Sequence, residues 1–257
     1  MERETVMDLK GKRIIVTGAA SGIGRAIALS LGANGVAVIA ADIHEPVETV
    51  NSILAGGGRG VALAADVTQA EQVDAMVARC LHDFGGLDGL VNNAGMYSSI
   101  VPRPFEQIDI DEWRRLFEVN VFGLMRCCQA VVPHMRAQGG GRIVNIISGT
   151  PFRGIPFMLH YVASKGAVVG ITRSLARELG AANILVNGVA PGFTLSEGVM
   201  NNPIQLEKLQ DISRNTRSLV RDQVPEDVVG AVNFFMSEGA RFITGQTLLV
   251  DGGAYFN

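Results

Sequence analysis

Seven short runs rich in Val, Ile, Leu and Ala recur along the chain, at residues 13–17, 36–41, 61–65, 89–91, 142–147, 184–189 and 247–250. Their apolar character is nearly continuous rather than alternating. That pattern predicts strands covered on both faces, as in a parallel sheet sandwiched between helices. Residues 69–84, 111–135, 163–179 and 226–237 lie between the runs and have helical patterning. Strand alternating with helix over the whole length predicts an α/β fold, a doubly wound parallel sheet flanked by helices. No repeat, linker or low-complexity tract interrupts it, so residues 1–257 are read as one domain, with 1–10 as a lead-in.

Hydrophobic residues make up 47% of the chain and charged ones 18%, enough apolar material for a substantial core. The net charge of -3 shows no basic excess, which argues against nucleic acid or an anionic membrane as partner. No apolar run approaches the roughly eighteen residues that a bilayer span requires. The opening residues Met1-Glu2-Arg3-Glu4-Thr5-Val6-Met7-Asp8 are too polar for a secretory signal. The three cysteines, Cys80, Cys127 and Cys128, form no metal-ligand spacing with the four histidines. A reduced, cytoplasmic, metal-free protein is the expectation.

Two segments break the rhythm. Residues 96–109 contain Pro102 and Pro104 and read as a loop before a long helix. Pro191-Gly192 opens an irregular polar stretch to about Arg221, within which about 193–220 reads as a substrate lid. Both follow strand C-termini, the edge at which open α/β sheets bind ligands.

The first run leads directly into Thr17-Gly18-Ala19-Ala20-Ser21-Gly22-Ile23-Gly24 and then a helix. Glycines there permit positive φ and let a pyrophosphate approach the backbone. The helix N-terminus adds free N–H groups and positive potential. Asp42 ends the second strand, where a carboxylate can accept from ribose hydroxyls and repels a 2′-phosphate. No Lys or Arg interrupts the glycine run, and Ile43-His44 follows Asp42, so NAD is expected over NADP. A turn-forming role for Asp42 is the alternative.

With these residues in view the chain resembles the short, single-domain branch of the short-chain dehydrogenase/reductase family over essentially its full length. The glycine run looks like that family's cofactor motif, Asp66-Val67 like its adenine-contacting pair, and Asn92-Asn93-Ala94-Gly95 like its NNAG element. Asn120, Ser148, Tyr161 and Lys165 match its four catalytic positions. Pro191-Gly192 and the closing Ile243-Thr244-Gly245-Gln246…Asp251-Gly252-Gly253 match its later landmarks. The resemblance implies a seven-stranded Rossmann-type sheet and usually a homotetramer. It also implies a hydroxyl after the Pro-Gly pair that holds the nicotinamide amide. Here either Thr194 or Ser196 could serve.

Tyr161 and Lys165 stand one helical turn apart and share a face. A phenol ionises near pH 10, so Tyr161 serves as a base near neutrality only if its anion is stabilised. Lys165 offers a nearby cation, and by family resemblance also holds the nicotinamide ribose. Ser148 follows a strand, where its hydroxyl can hydrogen-bond a substrate oxygen as alkoxide character grows. Asn120, by resemblance, would hold a proton-relaying water. His160 and Trp113 read as packing residues.

The pocket is expected from residues after Gly95, Ser148 and Gly192, which are mostly apolar or aromatic. An apolar or aromatic secondary alcohol, or its ketone, is the expected substrate. Arg103, Arg153 and Arg214 stand in or beside these segments and could instead receive a carboxylate. The family resemblance leaves a 3-oxoacyl reductase as runner-up, against which Asp42 and Pro133 argue and on which Arg177 is neutral. A non-catalytic NAD-binding scaffold is a third reading, disfavoured because all four catalytic positions are present.

Overall fold

In the computed structural model, which describes residues 7–256, seven strands form one parallel sheet in the order β3-β2-β1-β4-β5-β6-β7. They are β1 (Arg13–Thr17), β2 (Ala37–Asp42), β3 (Arg59–Ala64), β4 (Gly89–Asn92), β5 (Gly141–Ile146), β6 (Ile184–Pro191) and β7 (Thr247–Val250). Residues 1–6 of the expected lead-in lie outside the described residues. The chain winds outward from β1 to β3, then returns to lay β4 beside β1. The reversal opens a crevice at the C-terminal ends of β1 and β4.

Helices cover both faces: α1 (Gly22–Ala33), α2 (Val47–Ala55), α3 (Ala70–Phe84), α4 (Ile110–Phe117), α5 (Leu124–Ala137), the single turn α6 (Thr150–Arg153), α7 (Leu159–Leu179), the short α8 (Glu197–Met200), α9 (Pro203–Asn215) and α10 (Glu226–Met236). Successive strand residues point to opposite faces. Ile15, Ile39, Leu90 and Ile143 therefore pack against Met76 of α3, Val131 of α5 and Val168 of α7. Their neighbours Ile14, Val16, Val38 and Val144 pack against Ile27 and Leu31 of α1 and Val232 and Phe235 of α10. Burial on both faces is why the runs are apolar without alternation. Each such fully buried aliphatic side chain contributes roughly 1.5–3 kcal/mol.

Three expectations need correction. β3 begins at Arg59, because Arg59 and Gly60 pair with Ala37 and Val38 although neither is apolar. The single helix expected over 111–135 is α4 and α5 joined by a wide π-helical turn, Glu118–Gly123, which accommodates an extra residue. Residues 110–137 also include a window of mean hydropathy 1.2, enough by length and composition to cross a membrane. Half of it is buried in the domain, where Cys127, Cys128, Val131 and Met135 join the core, so it has the character of a core helix. Finally, the stretch after Gly192 is not irregular throughout, since it folds into α8 and α9. Pro203 opens α9, a position where its missing N–H costs nothing.

A buried polar chain fixes α7 against the sheet. Asn92 Nδ2 donates to Asn145 Oδ1 (2.9 Å), Asn145 Nδ2 to Thr172 Oγ1 (2.9 Å), and Thr172 Oγ1 to Val168 O (2.8 Å). Side chains on α7 are thereby held at a set distance from the ends of β4 and β5.

Candidate active site

The chain leaves β1 through Gly18 at φ 67° and enters α1 at Gly22, φ 55°. Close approach of a pyrophosphate was the reason expected for glycine here, and the structure supplies a nearer one. A Cβ on Gly24 would lie 2.0 Å from Gly18 O and 2.3 Å from Asn93 Nδ2, and one on Gly18 would lie 2.7 Å from that same amide. Asn93 Nδ2 donates to Thr17 O (3.0 Å) and Gly18 O (2.9 Å), while Thr17 Oγ1 accepts from the N–H groups of Asn93 and Ala94. The glycine loop and the Asn92–Gly95 segment therefore form one packed unit. At its edge, Asp42 Oδ2 accepts from Ala20 N (3.0 Å) and Oδ1 from His44 N (3.3 Å). Asp66 Oδ1 accepts from Thr68 N (2.8 Å), and Val67 is buried beside it.

Tyr161 and Lys165 are both buried on the first turns of α7, and Ser148 is buried just beyond β5. Ser148 and Tyr161 line the same cavity, and Ser148 Oγ accepts from Thr150 N (3.2 Å). Burial pushes the Tyr161 phenol up to about 12, and the neighbouring Ser148 hydroxyl works against that rise. Burial draws Lys165 down to about 8, which leaves it mostly protonated at pH 7. Its Nζ donates to Ile146 O (2.8 Å). Desolvation dominates the Tyr161 phenol and the opposing influence comes from Ser148, so the lowering expected from Lys165 is not seen here. Tyr97 packs its ring against Tyr161, centroids 4.9 Å apart, and burial raises its own phenol further still.

A cavity of about 770 Å³ runs along the crevice. Of the residues expected there, Gly18, Ser21, Ile23, Gly24, Asp42, Ile43, Asp66, Val67, Asn93, Ala94 and Gly95 line it. So do Ser148, Tyr161, Lys165, Pro191, Gly192 and Thr194. Three expected residues do not. The Gly22 N–H is taken by Glu197 Oε2 at 2.6 Å. Ser196 caps α8, its hydroxyl accepting from Val199 N. Asn120, in the wide turn, accepts from Met96 N (2.7 Å) and donates to Met96 O (3.2 Å) and Ser164 Oγ (3.3 Å), so its amide anchors the loop after β4. His160 is fully buried, Nε2 3.1 Å from Glu112 Oε1, and Trp113 stacks on Phe117, which places both among the packing residues.

The family profile described as Enoyl-(Acyl carrier protein) reductase matches residues 18–255. A 3-oxoacyl-(acyl-carrier-protein) reductase of Staphylococcus aureus is 40% identical over 95% of this chain and 98% of its own length. A 3beta-hydroxysteroid dehydrogenase of Eggerthella lenta is 38% identical over 96% and 94%. A short-chain type dehydrogenase/reductase from Mycobacterium marinum superposes with a TM-score of 0.91 at 32% identity, covering 98% of both chains. The chain belongs to the short-chain dehydrogenase/reductases.

Members of the family use NAD(P), and the residues present suit such a cofactor. The α1 N-terminus and Asp42 stand at one end of the cavity, and the buried Ser148, Tyr161 and Lys165 stand at the other. Leu209 and Ser213 bring the expected lid to the cavity wall, and the structure adds to this dehydrogenase/reductase lining residues that sequence reasoning missed, among them Arg115 and Tyr255. Tyr255 was the most recoverable of these. Gly252 and Gly253 both have positive φ, and Asp251 accepts from the N–H groups of Gly253, Ala254 and Tyr255. That turn sends the chain back to the cavity. The Asp-Gly-Gly sequence announces a turn, but only the fold shows where it leads.

Proposed function

We propose that the protein interconverts an apolar or aromatic secondary alcohol and its ketone with NAD(H). The observation that carries this reading is the buried Ser148–Tyr161 hydroxyl pair on the wall of a cavity that also contains Asp42. A bound nicotinamide would supply or accept the hydride, and its oxidised ring would add positive charge to the site. For ketone reduction the phenol must give a proton to the developing alkoxide. A Tyr161 pushed up to about 12 holds that proton throughout the neutral range. Ser148 orients the oxygen and strengthens its bond as negative charge accumulates. Lys165, charged at pH 7, steadies the same developing charge and is available to hold the nicotinamide ribose. In oxidation a Tyr161 phenolate must take the alcohol proton, and each positive charge nearby favours the ionised form that this step starts from.

Met96, Tyr97, Ile155, Met158, Phe193 and Leu209 line the cavity. They support an apolar skeleton around the reacting carbon. Asp42 at the second-strand edge supports NAD. Of the two hydroxyls left open, Thr194 is the better holder of the nicotinamide amide, because it lines the cavity while Ser196 is occupied as a cap. Reduction of 3-oxoacyl thioesters is the second reading, favoured by the 40% identity to the Staphylococcus aureus reductase.

Turnover of a ketone panel with NADH, followed at the nicotinamide absorbance, tests the proposal. Tyr161→Phe is expected to lower turnover by about 10³-fold or more while NADH binding, read by fluorescence, stays close to that of the parent. Full activity in that variant would refute the assignment of Tyr161. Faster turnover of 3-oxoacyl thioesters than of simple apolar ketones would select the second reading.

A further inference from the structure

Three arginines stood near the expected pocket, and the structure separates them. Arg103 is paired with Glu112 at 3.0 Å, and Arg214 with Asp211 at 2.5 Å and Asp222 at 3.8 Å. Neither lines the cavity. Arg153 does, at the end of α6, the single turn that follows Ser148. Among the described residues no carboxylate lies within 4.0 Å of its guanidinium.

The side chain is nevertheless held. Arg153 Nη1 donates to the Tyr255 hydroxyl, and the guanidinium carbon lies 5.2 Å from the centre of the Tyr255 ring. Tyr255 is fixed in turn by its N–H on buried Asp251 (3.1 Å) and by its ring edge against Gly149. A guanidinium has five N–H donors, and the phenol uses one. The site therefore keeps a positioned cation with donors to spare on the cavity that contains Ser148 and Tyr161. Arg115 lines the cavity too, but one turn before Val119 on the run whose Gly123 packs against Val67, so it belongs to the nucleotide end.

We propose that Arg153, braced by Tyr255, receives an oxyanion, a carboxylate or a phosphate, carried on the apolar substrate. The protein then acts on oxo acids or phosphate-bearing ketones in preference to their neutral counterparts. This deepens the assignment of Ser148 and Tyr161 as the reacting groups and rests on it.

The experiment uses matched pairs: a graded series of aliphatic and aromatic oxo-carboxylates with their methyl esters, and 3-oxoacyl pantetheine 4′-phosphate with 3-oxoacyl pantetheine. For the preferred pair the charged member is expected to have a KM about 10- to 100-fold lower, as a charge-assisted hydrogen bond implies. Arg153→Met should collapse that ratio to near one. Arg153→Lys should restore part of it, and Tyr255→Phe should reduce it several-fold. Which pair shows the ratio identifies the oxyanion. A ratio near one in the parent protein, or equal losses for both members in Arg153→Met as a merely structural role would give, overturns the proposal. If neither member of any pair is turned over, calorimetric titration of the NADH-loaded protein with the oxo-carboxylates and the phosphate decides. Binding that disappears in Arg153→Met upholds the oxyanion site and faults the reaction assigned above. Absent or unaltered binding overturns the site itself.

Discussion

At the glycine loop the Asn93 amide bridges two carbonyls, Thr17 accepts two N–H groups, and Asp42 holds the Ala20 N–H. At the reaction end a lysine is buried with a carbonyl as its hydrogen-bond partner, and Arg153 is held by one phenol. The first region uses its polar groups to make structure that a ligand can lean on. The second keeps charge and donors uncommitted, in the buried Lys165 at a cost in stability, for something that arrives later. Residues at the nucleotide end should therefore be felt mainly in folding, and those at the reaction end mainly in chemistry.

The largest expected effect breaks the comparison if it fails. Gly24→Ala places a methyl group 2.0 Å from the Gly18 carbonyl, where only backbone could move aside. We expect a loss of more than about 4 kcal/mol, or no folded protein. Gly154→Ala, on the reaction side, meets nothing within 4 Å and bears only its φ of 69°, for about 1 kcal/mol. Urea denaturation followed by the fluorescence of Trp113 compares them, and equal losses would remove the distinction.

Lys165 sharpens it with the opposite sign. Its folded pKa of about 8 lies below the ordinary 10.5, so the unfolded chain binds the extra proton between those values. Stability rises with pH through that window and carries the full penalty below about pH 8. Lys165→Met should raise stability at pH 7 by about 2–3 kcal/mol, with the gain fading by about pH 10, while turnover is lost. A variant less stable than its parent at pH 7 would show that the ammonium is not a strained group.

Asp42 gives the smallest effect, because it belongs to both categories. The parent should favour NAD over NADP in kcat/KM, and Asp42→Ala should narrow that preference about tenfold by removing repulsion toward a 2′-phosphate. Loss of the bond to Ala20 N should cost about 1 kcal/mol in the same denaturation experiment. Preference for NADP in the parent would reject the cofactor assignment.

The same division explains what could be read in advance. Strands buried on both faces announce themselves as Val, Ile and Leu runs, so the core strands were legible, whereas Arg59 and Gly60 on the edge strand were not. Tyr161, Lys165 and Ser148 could be singled out because the proposed chemistry requires particular residue types at short spacing, and the fold gathers them on one cavity. Gly18 and Gly24 were placed correctly for an incomplete reason, since the Asn93 amide that excludes their side chains is about seventy residues away. The polar stretch opened by Pro191-Gly192 read as irregular, although Pro203 within it begins a helix, whose first turn accepts proline. Tyr255 and the isolation of Arg153 depend on which carboxylates the fold brings near, and sequence spacing carries no information on that.

The wide turn at 118–123 makes one further demand on the chain. Winding it as ordinary helix with every residue kept would rotate everything beyond it by about 100°. Cys127, Cys128 and Val131 would swing off the sheet, and no nearby substitution could turn them back. The breadth of one turn thus decides which way the second half of this helix faces.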